Sequence, residues 1–431
     1  MHFLHAYSSS ALCRRAAVLL LAMAVLWPVP LVQAQGGAAL TLADAIQRTL
    51  ARNPQLAVYD LRDAALAGRA QTAALKPALN LDAELENFAG SGGFSEAELT
   101  ASISSVIELG GKRRARVDTV SANRALLLAD EQVTALDLFG EVIRRYTEVL
   151  AARERLALAG ESVRLARDTL REVDKRVDAA AAPVAEKLRA QAALAEARLT
   201  EQSEQRQLQA HKRALAVLWG EPDATFAVDG GALYRFAPAA GFSELYARAR
   251  ENPAIARFAS QERLREAELR LAETRSSMDI GWSVGVRRSR ELGETTLVAG
   301  VSAPLFQARR NAGAVATALA ERDQVALQRE AALLQLYGRL YRAVSGREQA
   351  LATVEALTQT IIPTLRDALT QVERAYRRGR YSYLEWSTAR EDLISARRAR
   401  IEAARAVLRF GAEIEQMTAA PLLPAQPDNS K

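Results

Sequence analysis

The chain has 431 residues, enough for two or three domains of ordinary size, and is 49% apolar, 25% charged and only 6% aromatic. Abundant Ala, Leu, Arg, Glu and Gln beside so few aromatics points to long helices and away from a compact α/β enzyme. The formal net charge of +6 is small and evenly interspersed, which argues against a nucleic-acid partner.

The N-terminus reads as an export signal over residues 1–34. Arg14 and Arg15 form a basic flank, Ala16 to Trp27 is an apolar run too short to span a bilayer, and Val32-Gln33-Ala34 predicts cleavage after Ala34. Removing two arginines takes the formal charge from +6 to +4. Cys13 lies inside this segment, so the mature chain is expected to hold no disulfide and no thiolate ligand. No later run of apolar residues is long enough for a membrane helix; a membrane crossing would have to be a β-barrel.

Past the signal the chain repeats itself. Asn53-Pro54 recurs as Asn252-Pro253, a spacing of 252 − 53 = 199 residues. The first copy is read as 35–219: short helices from Leu42 and Gln55, strands at about 79–89 and 97–109, then long helices at about 112–178 and 183–219. Residues 220–241, rich in Gly, Pro, Ala and Asp, read as a linker in an equatorial region. The second copy is read as 242–417, with strands at about 279–289 and 295–306 and helices at about 310–378 and 382–417. Residues 418–431 are expected to be a flexible tail.

The strands alternate strictly. Leu79, Leu81, Ala83 and Leu85 oppose Asp82, Glu84 and Glu86; Leu99, Ala101 and Ile103 oppose Glu98, Thr100 and Ser102; the second copy repeats the pattern with Ile280, Trp282, Val284, Val286, Leu297 and Val301. A half-buried soluble sheet would alternate equally. Two features favour a membrane: carboxylates on the polar face, where a water-filled lumen would lie, and Phe88, Phe94, Trp282 and Phe306 near strand ends. Four strands cannot close a bilayer barrel, so a membrane role demands an oligomer. Asp82, Glu84 and Glu86 then become candidates for an acidic belt that favours cations.

A helix over 112–178 would be about 100 Å long. Leu156, Val163, Leu170 and Val177, with Ala166 and Val173 between them, predict a coiled-coil seam. Val354, Leu357, Ile361, Leu365, Leu369, Val372 and Tyr376 predict its counterpart, with a kink at Pro363. Pro183 and Gly379 to Ser382 are read as the two chain reversals. Lys112, Arg113 and Arg114 after the first strand pair, and Arg309 and Arg310 after the second, are candidates for contact with inner-leaflet phosphates. For metal or catalytic chemistry there is little: beyond the signal remain His211, Met278 and Met417, scattered, so no catalytic residue, cofactor site or tight metal site is expected.

Leu42-Ala43-Asp44-Ala45-Ile46, Asn53-Pro54-Gln55-Leu56 and the duplicated organisation resemble the TolC family of outer-membrane efflux proteins over nearly the whole mature chain. Ile107-Glu108-Leu109-Gly110-Gly111-Lys112-Arg113, and Pro304-Leu305-Phe306 followed by Arg310-Asn311-Ala312-Gly313, are similar to its CzcC-like branch, which serves cobalt-zinc-cadmium resistance pumps. The resemblance implies a mainly α protein with a membrane β-barrel. Each protomer would give four strands and long antiparallel coiled-coil helices in two structural repeats. A homotrimer would then form a twelve-stranded barrel in the Gram-negative outer membrane above an α-helical periplasmic tunnel. It further implies a passive conduit for divalent heavy-metal cations, loaded by a periplasmic adapter and an inner-membrane transporter of the resistance-nodulation-division class. The family's periplasmic gate carries over to Tyr376, Gly379 and Glu385, with Glu186 as the acid that hydrogen-bonds Tyr376; where the family has an arginine and a second acid, this chain has Tyr381 and Thr388. A duct for drugs or type I secretion, and a periplasmic coiled-coil adapter or scaffold without a pore, remain alternatives.

Overall fold

Asn-Pro appears twice because it performs the same two tasks twice. A computed structural model describes residues 39–89, 93–223, 225–238 and 240–419, with one compact unit running from Leu40 onward. The signal segment with its cleavage at Ala34, and the tail beyond residue 419, lie outside the described residues. Two short helices open the unit, α1 (Leu42–Arg52) and α2 (Pro54–Ala73). Thr41 and Asp44 close a capping box at the start of α1. Asn53 caps α2: its Oδ1 accepts from the Gln55 N–H at 2.8 Å, while its Nδ2 donates to the Leu218 carbonyl at 2.8 Å. In the second copy, α5 (Phe242–Ala249) and α6 (Pro253–Thr274) meet at Asn252. Its Oδ1 accepts from Ala254 N–H at 2.8 Å, and its Nδ2 donates to the Gln416 and Met417 carbonyls at 2.9 Å. Each asparagine thus starts one helix and ties it to the end of the returning one. Proline follows because its missing N–H is harmless in a first helical turn.

Each helix pair leads into a strand pair: β1 (Asn80–Glu86) and β2 (Glu98–Ile107), then β3 (Ile280–Ser289) and β4 (Thr295–Ser302). They form one antiparallel sheet in the order β1-β2-β3-β4, with β1 and β4 as its edges. The central pairing, β2 with β3, joins the two copies and sets Thr100 opposite Arg287 and Ile103 opposite Val284.

The long helices are α3 (Lys112–Asp178) returning through α4 (Val184–Ala216), and α7 (Gln307–Ala356) continued by α8 (Ile362–Arg377) and returning through α9 (Tyr383–Thr418). In α3, Val163, Ala166 and Val173 are buried along the expected seam, with Leu170 and Val177 half-buried beside them. The second seam departs from expectation at Ile361, which is exposed while Ile362 is buried. The cause is a π-helical turn at Leu357–Ile361, in which the Ile362 N–H reaches back five residues to the Leu357 carbonyl. Pro363 has no N–H to offer Gln359, and the wider turn takes up the mismatch; the extra residue moves the inward position on by one.

Residues 220–241 connect the copies but do not hang free. Val228 and Leu233 are buried with Val149, Leu150, Leu215, Trp219 and Val407 in the largest core cluster, and Leu40 N–H donates to the Ala227 carbonyl at 2.8 Å. The four long helices α3, α4, α7 and α9, with α1 and this connection, therefore meet about halfway along α3, where a two-helix seam alone would bury little. Among the described residues no helix is long and apolar enough to cross a membrane, which leaves the strands to be judged by their own faces.

Candidate functional site

The sheet has two unlike faces. Register places Asp82, Glu84 and Glu86 of β1 beside Glu98, Thr100, Ser102 and Ser104 of β2, Ser283 and Arg287 of β3, and Thr296, Gly300 and Ser302 of β4. The opposite face carries Leu81, Leu85, Leu99, Ile103, Val284, Val286, Leu297 and Val301, with Arg288 and Thr295 only at its outer end, and its apolar part is bare: Leu81, Leu297 and Val301 are 80%, 85% and 80% exposed. A contiguous apolar sheet face open on one chain needs a cover that water cannot supply. Aromatics sit at both ends of the strands. Phe88 and Phe94 pair at 6.3 Å beside the β1–β2 connection; Trp282 and the 77% exposed Phe306 lie at the helix end.

On the polar face the acids are not equivalent. Asp82 accepts from the Ser104 hydroxyl at 2.8 Å. Glu86 and Glu98 both lie against Arg287, at 3.6 and 3.5 Å, while Arg287 Nε donates to Thr100 Oγ1 at 3.1 Å. Glu84 has no cationic partner among the described residues. The sequence pattern located the acids; it contained no sign that Arg287, almost two hundred residues later, reaches two of the carboxylates.

At the helix end of the sheet, Lys112 is not a surface residue. It is 8% exposed, ion-pairs with Asp279 at 2.7 Å and donates to the Ser277 carbonyl at 2.9 Å. Asp279 also accepts the Leu109 N–H at 3.2 Å. The Glu108-to-Lys112 motif is thereby a junction between copies. Gly110, at φ +73°, lies so close to Ser277 that a Cβ there would clash with its hydroxyl. Glu108 binds Arg116, which donates in turn to the Leu75 carbonyl at 3.1 Å. Asn311, 199 positions after Lys112, likewise reaches back to α6, donating to the Ala272 carbonyl at 2.6 Å. Arg113, Arg114, Arg309 and Arg310 are exposed.

At the far end of the long helices, Tyr376 is 1% exposed and its hydroxyl donates to Glu186 Oε2 at 2.9 Å, joining α8 to α4. Its ring packs on Trp386 at 4.9 Å between centroids, in a cluster with Val173, Ala190 and Tyr383. Burial, with the Glu186 carboxylate beside it, pushes the Tyr376 ionisation well above the ordinary tyrosine value. Arg176 was not singled out from sequence, yet it organises this tip. Its guanidinium lies 4.5 Å over the Tyr376 ring, donates to the Tyr376 carbonyl, and donates to the Ala181 carbonyl at 3.0 Å. Gly379 takes φ +73° and donates its N–H to the Tyr376 carbonyl at 2.9 Å, a left-handed helix cap. The matching position in the first copy, 199 earlier, is Ala180 at φ +54°. Glu385 is exposed and closes a capping box: Glu385 Oε2 accepts from Ser382 N–H at 2.7 Å and Oγ at 2.9 Å. Those two bonds, the backbone one first, hold its carboxyl below the usual range. Ser382-x-x-Glu385 is a helix-start signature that could have been read directly from sequence.

A family model described as "Outer membrane efflux protein" matches residues 45–221 and 245–420, which cover most of the chain. The chain belongs to the outer membrane efflux protein family. It is 31% identical to the cobalt-zinc-cadmium resistance protein CzcC of Cupriavidus metallidurans over 69% of this chain and 71% of that one. It is 26% identical to the nickel-cobalt-cadmium resistance protein NccC of Alcaligenes xylosoxydans over 67% of each. Among solved structures, the transmembrane channel CusC superposes with a TM-score of 0.73 at 16% identity, covering 88% of this chain and 92% of that one. The protein is therefore an outer-membrane efflux channel of the TolC type, not an enzyme, with a barrel sheet above a periplasmic helical tunnel.

Proposed function

We propose that this chain is the outer-membrane subunit of a tripartite pump and passes divalent heavy-metal cations outward through a homotrimeric, twelve-stranded barrel. The observation that carries the pore is the open four-stranded sheet with one apolar and one acidic face. Unpaired edges on β1 and β4 are untenable in lipid, so further copies must pair with them. The acids Asp82, Glu84 and Glu86 then line the water-filled side. The metal cargo is supported by the likeness to CzcC and NccC, named for cobalt, zinc, cadmium and nickel resistance. A periplasmic adapter and an inner-membrane transporter of the resistance-nodulation-division class complete the pump in this reading. At the lower end, Tyr376, Glu186 and Gly379 hold the helical tip shut, with Glu385 facing incoming cations. Arg113, Arg114, Arg309 and Arg310 meet lipid phosphates below the barrel.

The cargo is tested by deleting the gene and growing the strain on zinc, cadmium, cobalt, nickel and copper salts beside a drug panel. Metal hypersensitivity restored by the wild-type chain supports the reading. Sensitivity to drugs alone moves the cargo to organic molecules, and no change for metals or drugs counts against both.

A further inference from the structure

Glu86 and Glu98 are direct register partners on neighbouring strands, on the same face, beside the connection at the outer end of the sheet. Like charges placed opposite each other in this way repel. They also make a pair of convergent oxygen donors, the arrangement by which carboxylates hold a divalent ion. A conduit cannot keep such a site open to its cargo, because an ion bound tightly stops those behind it. Here Arg287 fills the place. Its guanidinium nitrogens lie 3.6 Å from Glu86 and 3.5 Å from Glu98, and Thr100 steers it by accepting from Nε at 3.1 Å. Arginine is always charged and its planar fork can serve two carboxylates at once. Asp82 and Glu84, further down the same strand, lie beyond these contacts and keep the face acidic. With four acids on β1 and β2 and one arginine, each chain presents 4 − 1 = 3 net negative charges on this face.

We infer that Arg287 is a resident counter-ion that sets cation handling: it occupies the Glu86–Glu98 pair so that a passing divalent ion is attracted by the lumen but not held at the outer mouth. This rests on the metal-cargo reading for its biological sense, though its chemistry can be tested separately. Removing the guanidinium should turn the pair into a cation trap, whereas lysine should preserve the neutralisation.

The test is equilibrium dialysis of the full chain in detergent against cadmium chloride, comparing wild type, R287Q, R287T, R287K and the double variant R287Q/E98Q. Normal heat-modifiable migration certifies the barrel of each; threonine, a good strand former, covers the case in which glutamine disturbs assembly. Gain of about one cadmium ion per chain, at least about tenfold tighter than wild type, is expected in R287Q and R287T and should vanish in the double variant. R287K should bind as wild type does. Assembled R287Q and R287T that take up no more cadmium than wild type overturn the inference, as does a gain that survives E98Q. Growth on metal salts reads the cargo independently. Tighter binding in R287Q, with a wild-type chain that gives no metal resistance, upholds the role of Arg287 and refutes the cargo.

Discussion

Replacing Tyr376 by phenylalanine removes one hydroxyl and leaves the ring where it is. The ring keeps its contacts with Trp386 at 4.9 Å and the Arg176 guanidinium at 4.5 Å, so the loss isolates the hydrogen bond to Glu186. A bond to a charged acceptor is worth about 1.5–3 kcal/mol, and the half-buried Glu186 regains water when the partner goes. That places the net loss at the lower end, at about 1.5 kcal/mol, or about tenfold in the open-to-closed ratio of one tip. If three tips of a trimer open together, the factors multiply to roughly a thousandfold. Y376F should therefore show a large rise in open-state occupancy in planar bilayers and leakage of large antibiotics into cells, with normal assembly. Tyr376→Ala also removes the packed ring, at about 3–5 kcal/mol, and should reduce trimer yield as well. Wild-type currents and leakage from a well-assembled Y376F protein would refute the latch and leave Tyr376 as a packing residue.

The tip should also loosen in alkali. Because the Tyr376 ionisation is raised on folding from its ordinary 10.0, its contribution is complete below that value and is lost as pH rises through the higher folded value; conductance against pH would show it. Glu385 has the opposite sign: its carboxyl is held low, so the cap on α9 is present above the ordinary glutamate range and weakens as acid protonates it, and E385Q should flatten that acid dependence of thermal unfolding. Breaking the buried Lys112–Asp279 pair with Lys112→Met should cost about 3 kcal/mol, seen as a lower unfolding temperature, with the double variant K112M/D279N recovering part of it. Ala180→Gly should raise stability by about 1 kcal/mol in the same assay, since alanine there sits at φ +54° where its counterpart Gly379 is unstrained.

Local rules made much of the protein legible in advance. Strand faces follow from alternation, because side chains on a strand point alternately to two sides whatever the neighbours are; the Leu81 and Asp82 faces came out as that rule requires. The duplicated Asn-Pro and the α3 seam were visible for the same reason, being periods and spacings. The hydrogen bond between Tyr376 and Glu186 was expected through family likeness rather than through any local pattern, and it is present. Tertiary structure decided the rest. Lys112 stands in a run of basic residues that looks solvated, yet burial and Asp279 claim it while its neighbours Arg113 and Arg114 stay out. The π-turn before Pro363 shifted the seam from Ile361 to Ile362, an outcome of backbone hydrogen bonding that side-chain periodicity does not report. Arg176 beneath Tyr376 and Arg287 between Glu86 and Glu98 are contacts across the two copies, about two hundred residues apart. Sequence alone determined which faces are apolar and where the chain turns, since those depend on neighbours a few residues away. Which charges meet depended on how the two copies pack, since ionic and hydrogen-bond partners are chosen by distance in space.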